Sequence, residues 1–166
     1  MKKLTFQQLL DKTKRVQYTD KEVVDSVKPH KPQEIEFFNV AKYTYNDELE
    51  EEYRSRGLLP ANPYALTLYL LDNEDKLDEM KYFATHWKDS NNEWCYIAFN
   101  QWDGGGRSVD VNHDDDDWDD DWWFAGVRKY QKELGDLDTL PQSSELGNLE
   151  KRIEKIENWI KSYTKI

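Results

Sequence analysis

The stretch YFATHWKDSNNEWCYIAFNQWDGGGRSVDVNH, residues 82–113, decides the fold. Its apolar and aromatic residues fall at alternate positions, in runs too short for helices and separated by turn formers. That is the pattern of strands joined by tight turns. With the segment after the next acidic run, it reads as four strands: Tyr82–Lys88, Trp94–Trp102, Arg107–Asn112 and Trp122–Tyr130. The first turn, DSNNE, is rich in residues that tolerate left-handed backbone, and the second, Asp103 to Gly106, has glycines to supply positive φ. In the second strand Trp94, Tyr96, Ala98 and Trp102 share one face, and Cys95, Ile97 and Phe99 share the other. Both faces are apolar, which predicts a central strand covered on both sides. Short turns between consecutive strands predict antiparallel pairing. The expectation is therefore a four-stranded antiparallel β-meander over about 82–130.

The flanks read as helices. Thr5 with Gln8 is a capping box ahead of Phe6, Leu9 and Leu10, and Thr19 with Glu22 repeats it ahead of Val23, Val24 and Val27. Glu34–Val40 is short, aromatic and branched, as in a strand. Asn46–Arg56 reads as an acidic helix ended by Gly57, and Asn62 followed by Pro63 as a cap and first turn. Beyond a polar linker, Leu146, Leu149, Ile153, Ile156, Ile160 and Tyr163 form a heptad seam. The predicted class is α+β: residues 1–140 make one domain, with the meander packed by N-terminal helices. Residues 141–166 make an amphipathic helix that either docks on this domain or pairs two chains, leaving a monomer or a homodimer.

Composition narrows the function classes. The chain has 166 residues and a formal net charge of −11, with 34% charged residues, seven Trp and ten Tyr. So many rings argue against disorder. Residues 61–130 hold 16 acidic and 6 basic side chains, whereas the 60 residues before them balance at 11 and 11. A region so acidic disfavours direct contact with nucleic acid or anionic membrane and favours a cation or a basic protein surface. The lone cysteine, Cys95, agrees with a reducing compartment, and no apolar run has the length of a membrane span or signal peptide. The expected location is cytoplasmic.

The most unusual segment is DVNHDDDDWDDDWW, residues 110–123. Neighbouring carboxylates repel by about 1 kcal/mol per close pair even in water, so such a run persists when solvated, neutralised by a cation, or held against basic side chains. Asp114, Asp115, Asp116, Asp117, Trp118, Asp119, Asp120, Asp121 and Trp122 then form a candidate surface for a basic partner, with rings as anchors. A line of carboxylates imitates a nucleic-acid backbone. This suggests a non-catalytic inhibitor or accessory factor of a nucleic-acid-binding protein, of the kind that phages and mobile elements use. The competing reading is a solvated loop whose tryptophans belong to the core.

Calcium is the one cofactor the sequence suggests. Asp110, Asn112, Asp114 and Asp121 match positions of a calcium-loop template, although Asp115 stands where that loop turns on glycine. Tryptophans beside Asn91, Asn92, Asn100 and Gln101 give a carbohydrate-binding module as an alternative. Catalysis is the weakest reading: His30, His86 and His113 lack metal-ligand spacing, Cys95 reads as an inert buried thiol, and no nucleophile or phosphate motif occurs. His113, beside the acidic run, is left as a possible pH-responsive or metal-contacting group.

Overall fold

Thr5 opens the first helix, α1 (Phe6–Lys12), as its capping box predicts: its hydroxyl accepts from the Gln8 amide at 3.1 Å, and Gln8 Oε1 accepts from the Thr5 amide at 2.9 Å. A strand the sequence reading did not contain, β1 (Val16–Thr19), follows. Because Thr19 is drawn into that strand, the cap of α2 (Lys21–Ser26) is Asp20, whose carboxylate accepts from the Val23 amide at 3.2 Å. Next come β2 (Glu36–Asn39), β3 (Thr44–Tyr45), α3 (Asn46–Ser55), β4 (Leu58–Pro60), α4 (Pro63–Asp72) and α5 (Glu74–Leu77). Gly57 ends α3 with φ of +69°, and Asn62 caps α4 by accepting from the Tyr64 and Ala65 amides. The period-two region supplies β5 (Tyr82–Lys88), β6 (Trp94–Gln101), β7 (Arg107–His113), β8 (Asp117–Trp118) and β9 (Trp123–Arg128). This computed structural model describes residues 3–113 and 117–129. The predicted terminal helix at 141–166, and with it self-association through its seam, lies outside the described residues.

The four-stranded antiparallel meander is not what forms. The sheet is mixed and seven-stranded, ordered β1-β7-β6-β5-β9-β2, with β4 also on β9. Three of the expected strands do make an antiparallel meander, β5-β6-β7. The fourth, β9, does not pair with β7; it lies parallel to β5, with Phe83 opposite Trp123. The physical reason is visible in its burial. Phe124, Ala125, Gly126 and Val127 are all buried, the continuous run of an interior strand rather than the alternation of a meander edge. β2 and β4 flank it antiparallel. The vacated edge of β7 is taken by β1, which runs parallel to it. Two strands, β6 and β5, therefore stand between β7 and β9, a separation of roughly 14 Å at sheet spacing.

As expected, β6 is central and covered on both faces. On one face Cys95, Ile97 and Phe99 join Phe83, Val109 and Val111 in a core closed by α1, α2 and α4 through Leu9, Leu10, Val23, Leu66 and Leu70. On the other, Ala84, Ala98 and Phe124 meet Leu49 and Tyr53 of α3, together with Trp118. Trp118 arrives there on β8, which pairs with β3 in a separate two-stranded ribbon. Among the described residues no helix is long and apolar enough to cross a membrane.

Candidate functional site

The ribbon of β3 and β8 separates the aspartate-rich segment into two kinds of residue. Alternation along β8 turns Asp117 outward and Trp118 inward, where it is 5% exposed. The Trp118 ring meets Tyr96, Trp122 and Phe124 at centroid distances of 5.6, 5.2 and 5.4 Å. Its Nε1 donates to Asn46 Oδ1 at 3.2 Å. Trp118 is thus a core residue, and Trp122 is half-buried. Asp117, Asp119, Asp120 and Asp121 are exposed. Asp114, Asp115 and Asp116 lie outside the described residues.

Two residues that sequence reasoning missed complete this surface. Tyr43 and Tyr45, 48% and 53% exposed, stand beside β8 with their rings 5.6 Å apart, edge to face. The Tyr43 hydroxyl donates to the Asp117 carboxylate, and that bond pushes the phenol up to about 12. Trp123 is also exposed, but it pairs with Phe83 and so stands on the opposite face of the sheet. Asp47 and Glu48 stand in the first turn of α3, immediately after Tyr45, and add carboxylates where the helix dipole favours them.

Behind the ribbon lies a buried polar hub. His86 on β5 is completely buried, stacked on Trp94 at 4.2 Å and on Tyr53 at 5.9 Å. Its Nδ1 lies 2.8 Å from Asn46 Oδ1 and its Nε2 lies 2.7 Å from Glu50 Oε1. Asn46 must turn its oxygen to the Trp118 N–H, so the two imidazole nitrogens face the Asn46 and Glu50 oxygens and both are occupied. With neither nitrogen left for a substrate, His86 ties α3 and Trp118 to the sheet.

The calcium template is spread across the fold. Asp110 and Asn112 lie on β7, and Asp121 lies in the turn before β9, with β6 and β5 between those two strands. Asn112 donates to the Tyr18 carbonyl at 2.9 Å. Burial raises the Asp110 carboxyl above its ordinary range, and its Oδ1 is buried with no hydrogen-bond partner. Among the described residues, the group of potential ligands that the fold brings within 4.8 Å is a different one: Asp89, Cys95 and His113. It lies in a cleft of about 520 Å³ at the β5–β6 turn, walled by Glu22, Val23 and Ser26 of α2 and by Trp87.

This group is not arranged as a nucleophile. Burial, then the charges of Asp89 and Glu93, push the Cys95 thiol up to about 11, the opposite of the shift a reactive cysteine needs. In a catalytic relay the acid would hold the imidazole nitrogen remote from sulfur. Here the thiol and both nearby carboxylates address the same nitrogen, His113 Nδ1.

Compared with known proteins, the chain matches no family model, no curated protein and no solved structure.

Proposed function

We propose that the protein is a non-catalytic interaction module that engages a basic partner through the β3–β8 ribbon. The observation that carries this reading is the exposed pair Tyr43 and Tyr45 set beside the exposed carboxylate of Asp117, with the exposed Asp119, Asp120 and Asp121 following it in the chain. Tyrosine provides a large, stiff contact area at low entropic cost, and carboxylates around it supply charge complementarity and steering. The sequence offered Trp118, Trp122 and Trp123 as anchors; Trp118 is buried, Trp122 is half-buried and Trp123 pairs with Phe83 on the other face of the sheet, which favours the two tyrosines as the rings available to a partner. A partner that normally grips a phosphate backbone presents the matching positive surface, in keeping with an inhibitor or accessory factor of a nucleic-acid-binding protein.

The test is affinity capture from a cell extract at low and high salt. It compares the wild type with a variant carrying Asp117→Asn, Asp119→Asn, Asp120→Asn and Asp121→Asn, and with Tyr43→Ala/Tyr45→Ala. The reading expects basic proteins that are released by salt, because the Debye length falls from about 10 Å at 0.1 M to about 3 Å at 1 M. Both variants should lose them. Capture that ignores salt and survives the four amide substitutions refutes it.

A further inference from the structure

We propose that Asp89, Cys95 and His113 form a binding site for a zinc-type divalent transition metal ion. The site lies on the face of the sheet opposite the ribbon and is independent of the interaction surface.

Three features of the backbone build it. In the β6–β7 register Cys95 and His113 are directly opposed, so both side chains lie on the same face as neighbours. The β5–β6 turn brings in the third group. There Asp89 Oδ1 accepts from the Asn91 amide at 2.9 Å and the Glu93 amide at 3.0 Å, and Asn92 takes positive φ to close the turn. With Oδ1 committed to the turn, Oδ2 is held toward the thiol and the imidazole, at 3.9 Å from Cys95 Sγ and 4.0 Å from His113 Nδ1. The third side of the triangle, Sγ to Nδ1, is 3.6 Å.

These separations suit a metal centre. Zinc bonds of about 2.3 Å to sulfur and about 2.0–2.1 Å to nitrogen and oxygen, at tetrahedral angles, place the ligand atoms roughly 3.3–3.6 Å apart. The Cys95–His113 edge already has that length, and the two edges to Asp89 need to close by roughly 0.3–0.7 Å. Three protein groups and an open cleft leave a fourth position. Glu93 is placed to fill it: its Oε2 lies 3.6 Å from His113 Nδ1 on an exposed side chain that is free to swing. The one lysine on the wall, Lys88, rests over the Trp94 ring at 4.9 Å and does not pair with Asp89 or Glu93. Sulfur and imidazole nitrogen are borderline-to-soft donors, which select zinc-like ions over calcium, whose ligands are oxygens. On binding, the Cys95 S–H bond breaks and its proton goes to solvent. His113 keeps its proton on Nε2 and gives the Nδ1 lone pair.

The experiment uses the full chain, freed of metal with a chelator, titrated with Zn²⁺ by calorimetry and with Co²⁺ by optical spectroscopy. The expected result is one Zn²⁺ per chain and a thiolate-to-cobalt charge-transfer band. Asp89→Asn retains the oxygen that the turn amides need and removes the ligand oxygen. His113→Gln alters an exposed side chain. Each should weaken Zn²⁺ by more than about tenfold, with circular dichroism unchanged, while Glu93→Gln weakens it less. Cys95→Ser should abolish the charge-transfer band. Zn²⁺ bound with wild-type affinity by both Asp89→Asn and His113→Gln, a cobalt complex lacking the band, or no binding at all would each overturn the site. Preference for Ca²⁺ over Zn²⁺ would also overturn it.

Discussion

Replacing Trp118 separates a structural tryptophan from a binding one. Its ring fills the second core against Tyr96, Trp122 and Phe124, and its N–H supplies one of the bonds that orient Asn46. Truncation of a buried tryptophan to alanine costs about 3–5 kcal/mol in lost transfer energy and residual cavity. Trp118→Phe keeps most of the apolar area but removes the N–H, leaving Asn46 Oδ1 with His86 alone, a loss of about 1–2 kcal/mol. Trp123, 37% exposed, forms no part of either buried core, and Trp123→Ala should stay within about 0.5–1 kcal/mol of wild type. Urea unfolding followed by far-UV circular dichroism gives all three values. Small domains have only about 5–15 kcal/mol in total, so Trp118→Ala is expected to lose a large fraction of its stability. A Trp118→Ala midpoint equal to wild type, or a larger loss in Trp123→Ala, would refute the inward orientation of Trp118.

Two further outcomes test other parts of the fold. A Cβ at Gly126 would stand 3.1 Å from Tyr53 Cε1 and 3.2 Å from Leu58 Cβ, so Gly126→Ala should destabilise by about 1–3 kcal/mol through overpacking between β9 and α3; thermal unfolding reads it. Asp110 is raised above its ordinary 3.8 by burial, so the folded state holds that proton more tightly than the unfolded chain does. Stability from this group is full below 3.8 and is lost as pH rises through the folded value. Asp110→Asn removes the loss, and unfolding titrations should find it more stable than wild type at pH 7 but not at pH 3.

Local structure was legible in the sequence and strand partnership was not. Caps at Thr5 and Asn62 and the stop at Gly57 depend on bonds within a few residues, and they form as read. So do β5, β6 and β7, whose turns fix their pairing. The position of β9 depends on a long connection, and nothing in its period says which free edge it will join. β1 was missed because VQYT is a short edge strand with half its residues in water, a weak signal in any window. The Cys95–His113 contact was within reach. Counting outward in equal steps from a five-residue turn, Trp102–Gly106, pairs Gln101 with Arg107 and Cys95 with His113, whereas the four-residue turn Asp103–Gly106 shifts the register by one and sets Cys95 opposite residue 114. The reading ended that strand at Asn112 and assigned His113 to the acidic loop, which hid the pair.

The burial of Trp118 also constrains how the acidic surface can be tested. A run of aspartates has no apolar area of its own to hold it in place, and its mutual repulsion favours an extended, solvated chain. Pairing β8 with β3 and inserting one indole into the second core fixes its backbone while Asp117 and Asp119 point to water. Replacing Trp118 therefore removes the surface together with part of the fold, and lost binding in that variant says nothing about anchoring. The flanking carboxylates behave oppositely. Asp→Asn at 119, 120 and 121 keeps shape while relieving like-charge repulsion, so stability should hold or rise. If a basic partner is the ligand, the same substitutions weaken binding. A change that leaves the fold as stable and the partner less tightly held acts at the interface, and its loss with added salt assigns it to charge.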